Sequence, residues 1–235
     1  ASAALALMSL NYRTVDAAYA TRCLNSAKQI YELGKNNLGR SDDGGGGSFY
    51  RSSSHFDDLA WAAIWLSIAT GDQSYLAPVD GWLNIRNDYG DDNYDKHWAP
   101  AWDDVTVFVL LKMYQLTGVQ KYYDGVIRNL EWFRDGATRT PYGLPWISEW
   151  GVLRYASAEA GVGYLAAQKF EYAGYLSTAD LTMNYTLGSN PSNRSYLTGW
   201  GNNPPVHPHH RANEPVRGGA TKGIVGALVG GPGRN

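Results

Sequence analysis

Among the 235 residues there is one cysteine, Cys23, so no disulfide can form within the chain. It falls inside a helical pattern, where a lone thiol reads as a small buried hydrophobe. Charge is scarce too. Only 18% of residues are Asp, Glu, Lys or Arg, the formal net charge is -2 and no basic stripe runs through the chain, which excludes nucleic acid as the expected partner. No apolar run reaches the length of a membrane span, so a membrane is excluded as well. The first residues carry no charged stretch ahead of an apolar core, and no signal peptide is read there. A nucleophile elbow, zinc-ligand spacing and a phosphate-cradling loop are all missing. No organic cofactor is expected.

What the chain has in quantity is aromatic surface: 9 Trp and 17 Tyr. Flat rings with polar edges suit packing against sugar rings, and they equally suit core building. Its length allows one large domain or two small ones, either with a sizeable core.

Helical patterns dominate. Ala1 to Leu10 reads as one helix and Val15 to Asn37 as a longer one, with Ala18, Cys23, Ala27, Ile30 and Leu33 near a 3.6-residue period. Ser41 to Ser48, with four successive glycines, reads as a flexible loop. An internal echo follows. Asp57-Asp58 opens an apolar helix ending at Thr70-Gly71, and Asp103-Asp104 opens another ending at Thr117-Gly118, with the two Thr-Gly pairs 47 residues apart. Each unit predicts helix, Gly stop, helix, an αα-hairpin, and a repeat of this length marks a helical array or a closed ring of hairpins. Asp at a helix start is also an ordinary cap and dipole partner. A polar, aromatic loop spans Asp88 to Trp102, another loop Thr138 to Pro145, and a helix pair covers Gly151 to Phe170 and Tyr172 to Leu187. Gly218 to Val229 is expected to form a last, small-residue helix. The fold class is all-α, antiparallel αα-hairpins with loops on one rim.

The stretch Arg194 to Arg211, RSYLTGWGNNPPVHPHHR, fits no helix or strand. It holds three of the five histidines and three of the ten prolines, a stiff loop of the kind on which scaffolds carry function. This stretch resembles the signature of glycoside hydrolase family 9, the cellulase family with an (α/α)6 barrel. WISEWGVLRYA (Trp146 to Ala156), SSSHFDDLAWAAIWLSIATGD and AWDD resemble further family segments, and the likeness runs from Ala1 to Pro232. It implies one partial catalytic domain over residues 1–235, about four hairpins of an incomplete barrel, and an extracellular protein.

Carried over by position, the resemblance assigns His209 and Arg211 to sugar hydroxyls near the scissile bond, with His209 in support of catalysis. It makes Trp150 a stacking platform, for which core packing is the alternative, and Arg154 and Tyr155 polar contacts to the glucan. Asp57, Asp58 and Asp104, with carbonyls near Ser53 and Ser54, match a structural calcium site; helix capping is the competing reading, and His55 and Phe56 stand where the family has small or flexible residues. Inverting glycosidases use a carboxylate base and a carboxylic acid. The family's Asp-Ala-Gly-Asp type motif for the base does not occur here, and its acid follows the Gly-Gly-Pro near which this chain stops. Both carboxylates are therefore expected to lie outside the chain. Glu149, beside Trp150, is the best placed resident carboxylate, with a structural role expected. The expected function is hydrolysis of β-1,4-glucan or cellulose, of endoglucanase type and with inversion; the alternative is a non-catalytic glucan-binding protein. A partial barrel is also expected to need a further chain segment, or self-association, to cover its apolar faces.

Overall fold

The computed structural model describes residues 1–40, 50–209 and 224–233, and everything below concerns these. The Gly-rich stretch 41–48 lies outside them, as does Arg211. The chain divides into two compact units, Ala1–Arg128 and Asn129–Asn235. Helices make up both, and among the described residues extended pairing is confined to two isolated bridges.

In the first unit α1 (Ser2–Tyr12) and α2 (Ala17–Asn36) form a hairpin. Asp16 caps α2 by accepting from the Tyr19 amide at 2.8 Å. The Ser2 hydroxyl ties the pair together by donating to the Ala27 carbonyl at 2.8 Å. The buried stripe of α2 is Ala20, Cys23, Ala27 and Tyr31. Cys23 is thus the buried hydrophobe the pattern suggested, whereas Ala18, Ile30 and Leu33 are exposed; Tyr31, with the larger apolar body, takes the inward position and meets Tyr75 and Trp82 edge-on.

α3 (Phe56–Thr70) is apolar all round, and nine of its 15 residues are buried because α1, α2, α4 (Val79–Leu83) and α5 (Thr106–Thr117) surround it. The echo holds at its C-terminal stops. Thr70 Oγ1 donates to the Leu66 carbonyl and Thr117 Oγ1 to that of Met113, both at 2.6 Å, and each hydroxyl then accepts from the amide two residues on. Gly71 and Gly118 follow with φ of 77° and 68°, the left-handed conformation that ends a helix at low cost only for glycine.

The 88–102 loop is anchored by buried Asn93, whose Nδ2 donates to the carbonyls of Leu83 and Ile85. Tyr94 and Tyr122 both donate to Asp80, tying this loop to α6 (Gln120–Glu131).

The second unit holds the hairpin of α7 (Val152–Phe170) and α8 (Leu176–Leu187). Its core gathers Leu144, Val152, Leu153, Ala156 and Tyr185, with Trp146 and Tyr196 packed against it. The 138–145 loop is a tight extended turn: Thr140 donates to Leu144 at 3.0 Å, Trp146 to Thr138 at 2.7 Å, and Gly143 turns the chain at φ 84°. The helix expected over Gly218 to Val229 is not formed in its described part. Residues 224–227 form a turn instead, closed by the Ala227 amide donating to the Ile224 carbonyl at 3.3 Å with Gly226 at φ 82°, and the segment is held by backbone bonds to Tyr196 and Thr198.

Candidate functional site

Two segments of the second unit meet at the start of α7. Gly151, at φ 73°, turns the chain into the helix, and the Leu153 amide donates to the Gly230 carbonyl at 3.1 Å. A Cβ on Gly231 would lie within 2.8 Å of Leu153 and Val152 side-chain carbons, so only glycine lets this strand lie so close.

Trp150 stands just outside that turn, 70% exposed, which removes the core-packing alternative. Its ring meets that of His209 edge to face, with centroids 5.7 Å apart and planes at 88°. A cation-bearing pair adjoins it in sequence: the Arg154 guanidinium lies over the Tyr155 ring, 4.3 Å from its centroid, and also donates to the Tyr155 hydroxyl. Arg154 Nε is buried without an acceptor, while Tyr155 is itself buried. Trp150 and His209, from segments almost 60 positions apart, thus stand together; Arg154 and Tyr155 form a second pair on the first turn of α7.

The loop carrying His209 is built by its own polar side chains. Asn190 donates from Nδ2 to the carbonyls of Tyr185 and Arg194, both at 2.7 Å, and accepts from the amides of Ser192 and Arg194. Asn202 closes the next turn by donating to the Asn193 carbonyl. Gly201 turns at φ 77° and passes so close to Ser195 that a Cβ would meet its side chain at 2.9 Å. One result is a second exposed indole, Trp200, 63% exposed, between the two glycines of the signature stretch. The flanking glycines were its only sequence signal.

The two glutamates nearest this wall in sequence sit in opposite environments. Glu149 is exposed. Glu159, which sequence reading passed over, is fully buried in α7 with no hydrogen bond to either oxygen. Burial raises its pKa well above the ordinary carboxylate value and keeps it a neutral acid beyond a ligand's reach.

The five residues matched to calcium separate into different partnerships. Asp104 is ion-paired at 2.5 Å with Lys96, whose side chain is 1% exposed, and it also accepts from the Thr106 amide. Burial opposes the Lys96 charge, but Asp104 and then Asp91 offset it, and the ammonium pKa ends above its ordinary value. Asp57 accepts from the Val105 amide through Oδ2 and leaves Oδ1 buried and unpartnered; burial first and Asp104 second push its pKa up to about 7. Burial also raises the pKa of Asp58. The Ser53 carbonyl accepts from the Asp88 amide and the Ser54 carbonyl from the Ser52 hydroxyl. Ser53 meets Asp103, an acid the resemblance left unassigned, through its amide and its hydroxyl, both at 2.7 Å. These partnerships engage Asp104 and the two serine carbonyls and leave Asp57 Oδ1 open. Among the described residues no three His, Cys, Asp or Glu side chains gather as a metal centre.

The family model for glycosyl hydrolase family 9 matches residues 1–235. Endoglucanase 4 of Bacillus sp. (strain KSM-522) is 33% identical over 99% of this chain and 40% of its own length. Endoglucanase A of Bacillus pumilus is 33% identical over 98% of this chain and 38% of its own. Among solved structures, the cellulase Cel9M of C. cellulolyticum in complex with cellobiose is 43% identical with a TM-score of 0.87, covering 98% of this chain and 55% of that one. Endoglucanase CelQ from Clostridium thermocellum complexed with cellotriose is 35% identical with a TM-score of 0.83, covering 99% and 41%. The chain therefore spans about two fifths of these curated relatives and about half or less of these solved chains.

Proposed function

The chain belongs to glycosyl hydrolase family 9, and from that premise we propose that it forms the glucan-binding part of a β-1,4-glucan hydrolase of the endoglucanase type. One observation carries this reading: Trp150 and His209, distant in sequence, form an exposed edge-to-face pair beside α7, whose first turn holds Arg154 and Tyr155. An indole face takes the apolar face of a pyranose ring, and guanidinium and imidazole groups hydrogen-bond its hydroxyls. Arg211 joins this set by resemblance and lies outside the described residues. Inverting hydrolysis needs an acid and a base on opposite faces of the sugar. The exposed Glu149 and the buried Glu159 supply no such pair, so the proposal leaves both carboxylates to other parts of the whole protein. Secretion is part of the same proposal. It is compatible with the described helices, none of which is long and apolar enough to cross a membrane.

The test couples reducing-sugar release from carboxymethylcellulose with calorimetric binding of cello-oligosaccharides. Binding that weakens at least tenfold in Trp150→Ala and His209→Ala supports the wall. Turnover that accompanies it and vanishes in His209→Ala favours the enzyme; binding without turnover favours the non-catalytic glucan-binding alternative. Absence of binding sinks both.

A structural calcium ion is the weaker part of the proposal. The orphaned Asp57 Oδ1 speaks for a cation, and the Lys96–Asp104 ion pair speaks against one. A melting temperature that rises with calcium and falls with chelator supports the ion, and an unchanged one retires it. Completion of the barrel by a further chain segment or by a second copy is proposed on the strength of exposed Leu116, Tyr164, Leu165 and Leu181 on the helices. A monodisperse monomer in analytical ultracentrifugation rejects self-association.

A further inference from the structure

A cavity of about 470 Å3 lies in the second unit, bounded by the 138–146 turn, residues 185–196 and Pro232-Gly233. It shares no lining residue with the Trp150–His209 wall. Aromatic and hydroxyl-bearing residues dominate its lining: Tyr142, Trp146, Tyr185 and Tyr196, with Thr140 and Ser192 among the polar positions. Tyr185 and Tyr196 stack nearly parallel, 5.9 Å apart at 8°. All three tyrosines line the same cavity, and burial first, then Tyr196 and Tyr142, push the Tyr185 hydroxyl up to about 12. Tyr142 is 61% exposed and Trp146 half-buried, which leaves ring surface open to a ligand.

The lining also lacks net charge to offer. Its one charged side chain among the described residues, Arg139, donates instead to the carbonyls of Phe133, Arg134 and Gly143, which holds the turn in shape. Among the described residues no acid lines the cavity to receive a cation, and the guanidinium is engaged by carbonyls rather than free for an anion. What remains is a concave surface of aromatic faces interleaved with hydroxyls, of a volume typical of small-ligand sites. That chemistry suits a neutral, hydroxylated ring with one apolar face.

We propose that this cavity is a second carbohydrate-binding site, taking one or two pyranose units of a neutral glucan. The choice of glucan rests on the proposed function above; the cavity's chemistry does not. A second site would let the protein hold two parts of one chain or two neighbouring chains, and it would raise avidity for a polymer over a short oligosaccharide.

Titration of the full chain with cellobiose and cellotetraose by calorimetry tests this, using wild type, Trp150→Ala, Tyr142→Ala and Ser192→Trp. Tyr142 and Ser192 are exposed, so both variants should keep the fold, which circular dichroism checks; Ser192→Trp fills the cavity mouth. The expected result is two binding events in wild type, one lost in Trp150→Ala and the other weakened roughly tenfold in Tyr142→Ala and in Ser192→Trp. Binding abolished by Trp150→Ala and untouched by the other two overturns the second site while leaving the proposed function standing. Loss in Tyr142→Ala and Ser192→Trp with no effect of Trp150→Ala supports the second site and overturns the wall. No binding of either sugar by wild type overturns both.

Discussion

Asp104 and Glu159 are both buried acids, and the two units handle them in opposite ways. Asp104 is paired with the buried ammonium of Lys96 and accepts a backbone amide. Among the described residues Glu159 has no hydrogen bond to either oxygen, and the Tyr175 hydroxyl, which its charge influences, is likewise buried and unpartnered. A buried carboxylate must be met by a charge or give its own up. The first unit follows the former route and the second the latter. A buried acid is thus no sign of a reactive one: in one unit it is a neutralised strut, in the other a protonated core residue.

The largest effect should come from breaking the paired case. Lys96→Met strands Asp104 in the interior and should lower unfolding stability by about 3–5 kcal/mol in urea denaturation. Replacing both partners, Lys96→Met with Asp104→Leu, should recover most of that loss, since an apolar pair of similar volume often does as well as an ion pair. A double variant as unstable as the single one would mean that Asp91 or the Thr106 amide matters more than the pair.

The unpaired case should respond to pH. With a raised folded pKa, Glu159 keeps its proton while the unfolded chain has released its own, so the folded state binds the extra proton. Stability should then be full below the ordinary glutamate value of 4.5 and should fall as pH rises through the elevated folded value. Glu159→Gln should flatten this dependence, gaining about 1–2 kcal/mol over wild type at alkaline pH and little at acid pH. Parallel pH profiles for the two proteins would show that Glu159 is not the group responsible. Arg139, the cation whose charge reaches Tyr175, should be left intact in this experiment.

The smallest effect should be Tyr175→Phe. Its hydroxyl has no hydrogen bond to lose, so deleting it should change stability by less than about 1 kcal/mol, and toward gain. A loss of 2 kcal/mol or more would reveal a hydrogen bond between Tyr175 and Glu159, and would make the second unit more like the first.

The helices and their ends were legible because they are written locally. Thr70-Gly71 and Thr117-Gly118 announce two stops, and both form with the same hydroxyl bonds and left-handed glycines. The α2 stripe was less legible: Tyr31 buries where Ile30 and Leu33 were expected, because the neighbours Tyr75 and Trp82 select a large flat side chain. The candidate wall was partly legible. Trp150 and His209 were named from the signature stretches, but their ring contact needed the fold, and the 224–229 segment was misread as helix because it pairs with residues distant in sequence.

The sequence by itself determined an all-α protein built of capped hairpins and a stiff polar loop, since capping, periodicity and proline content act within a few residues. Tertiary structure alone decided which acids are reactive, paired or silent. Asp57, Asp104 and Glu159 are chemically similar in the sequence; the pairing of Lys96 with one, and the lack of any hydrogen bond to another among the described residues, arise only when helices pack and water is removed. The strength of a charge depends on that dielectric surrounding, and no short stretch of chain encodes it.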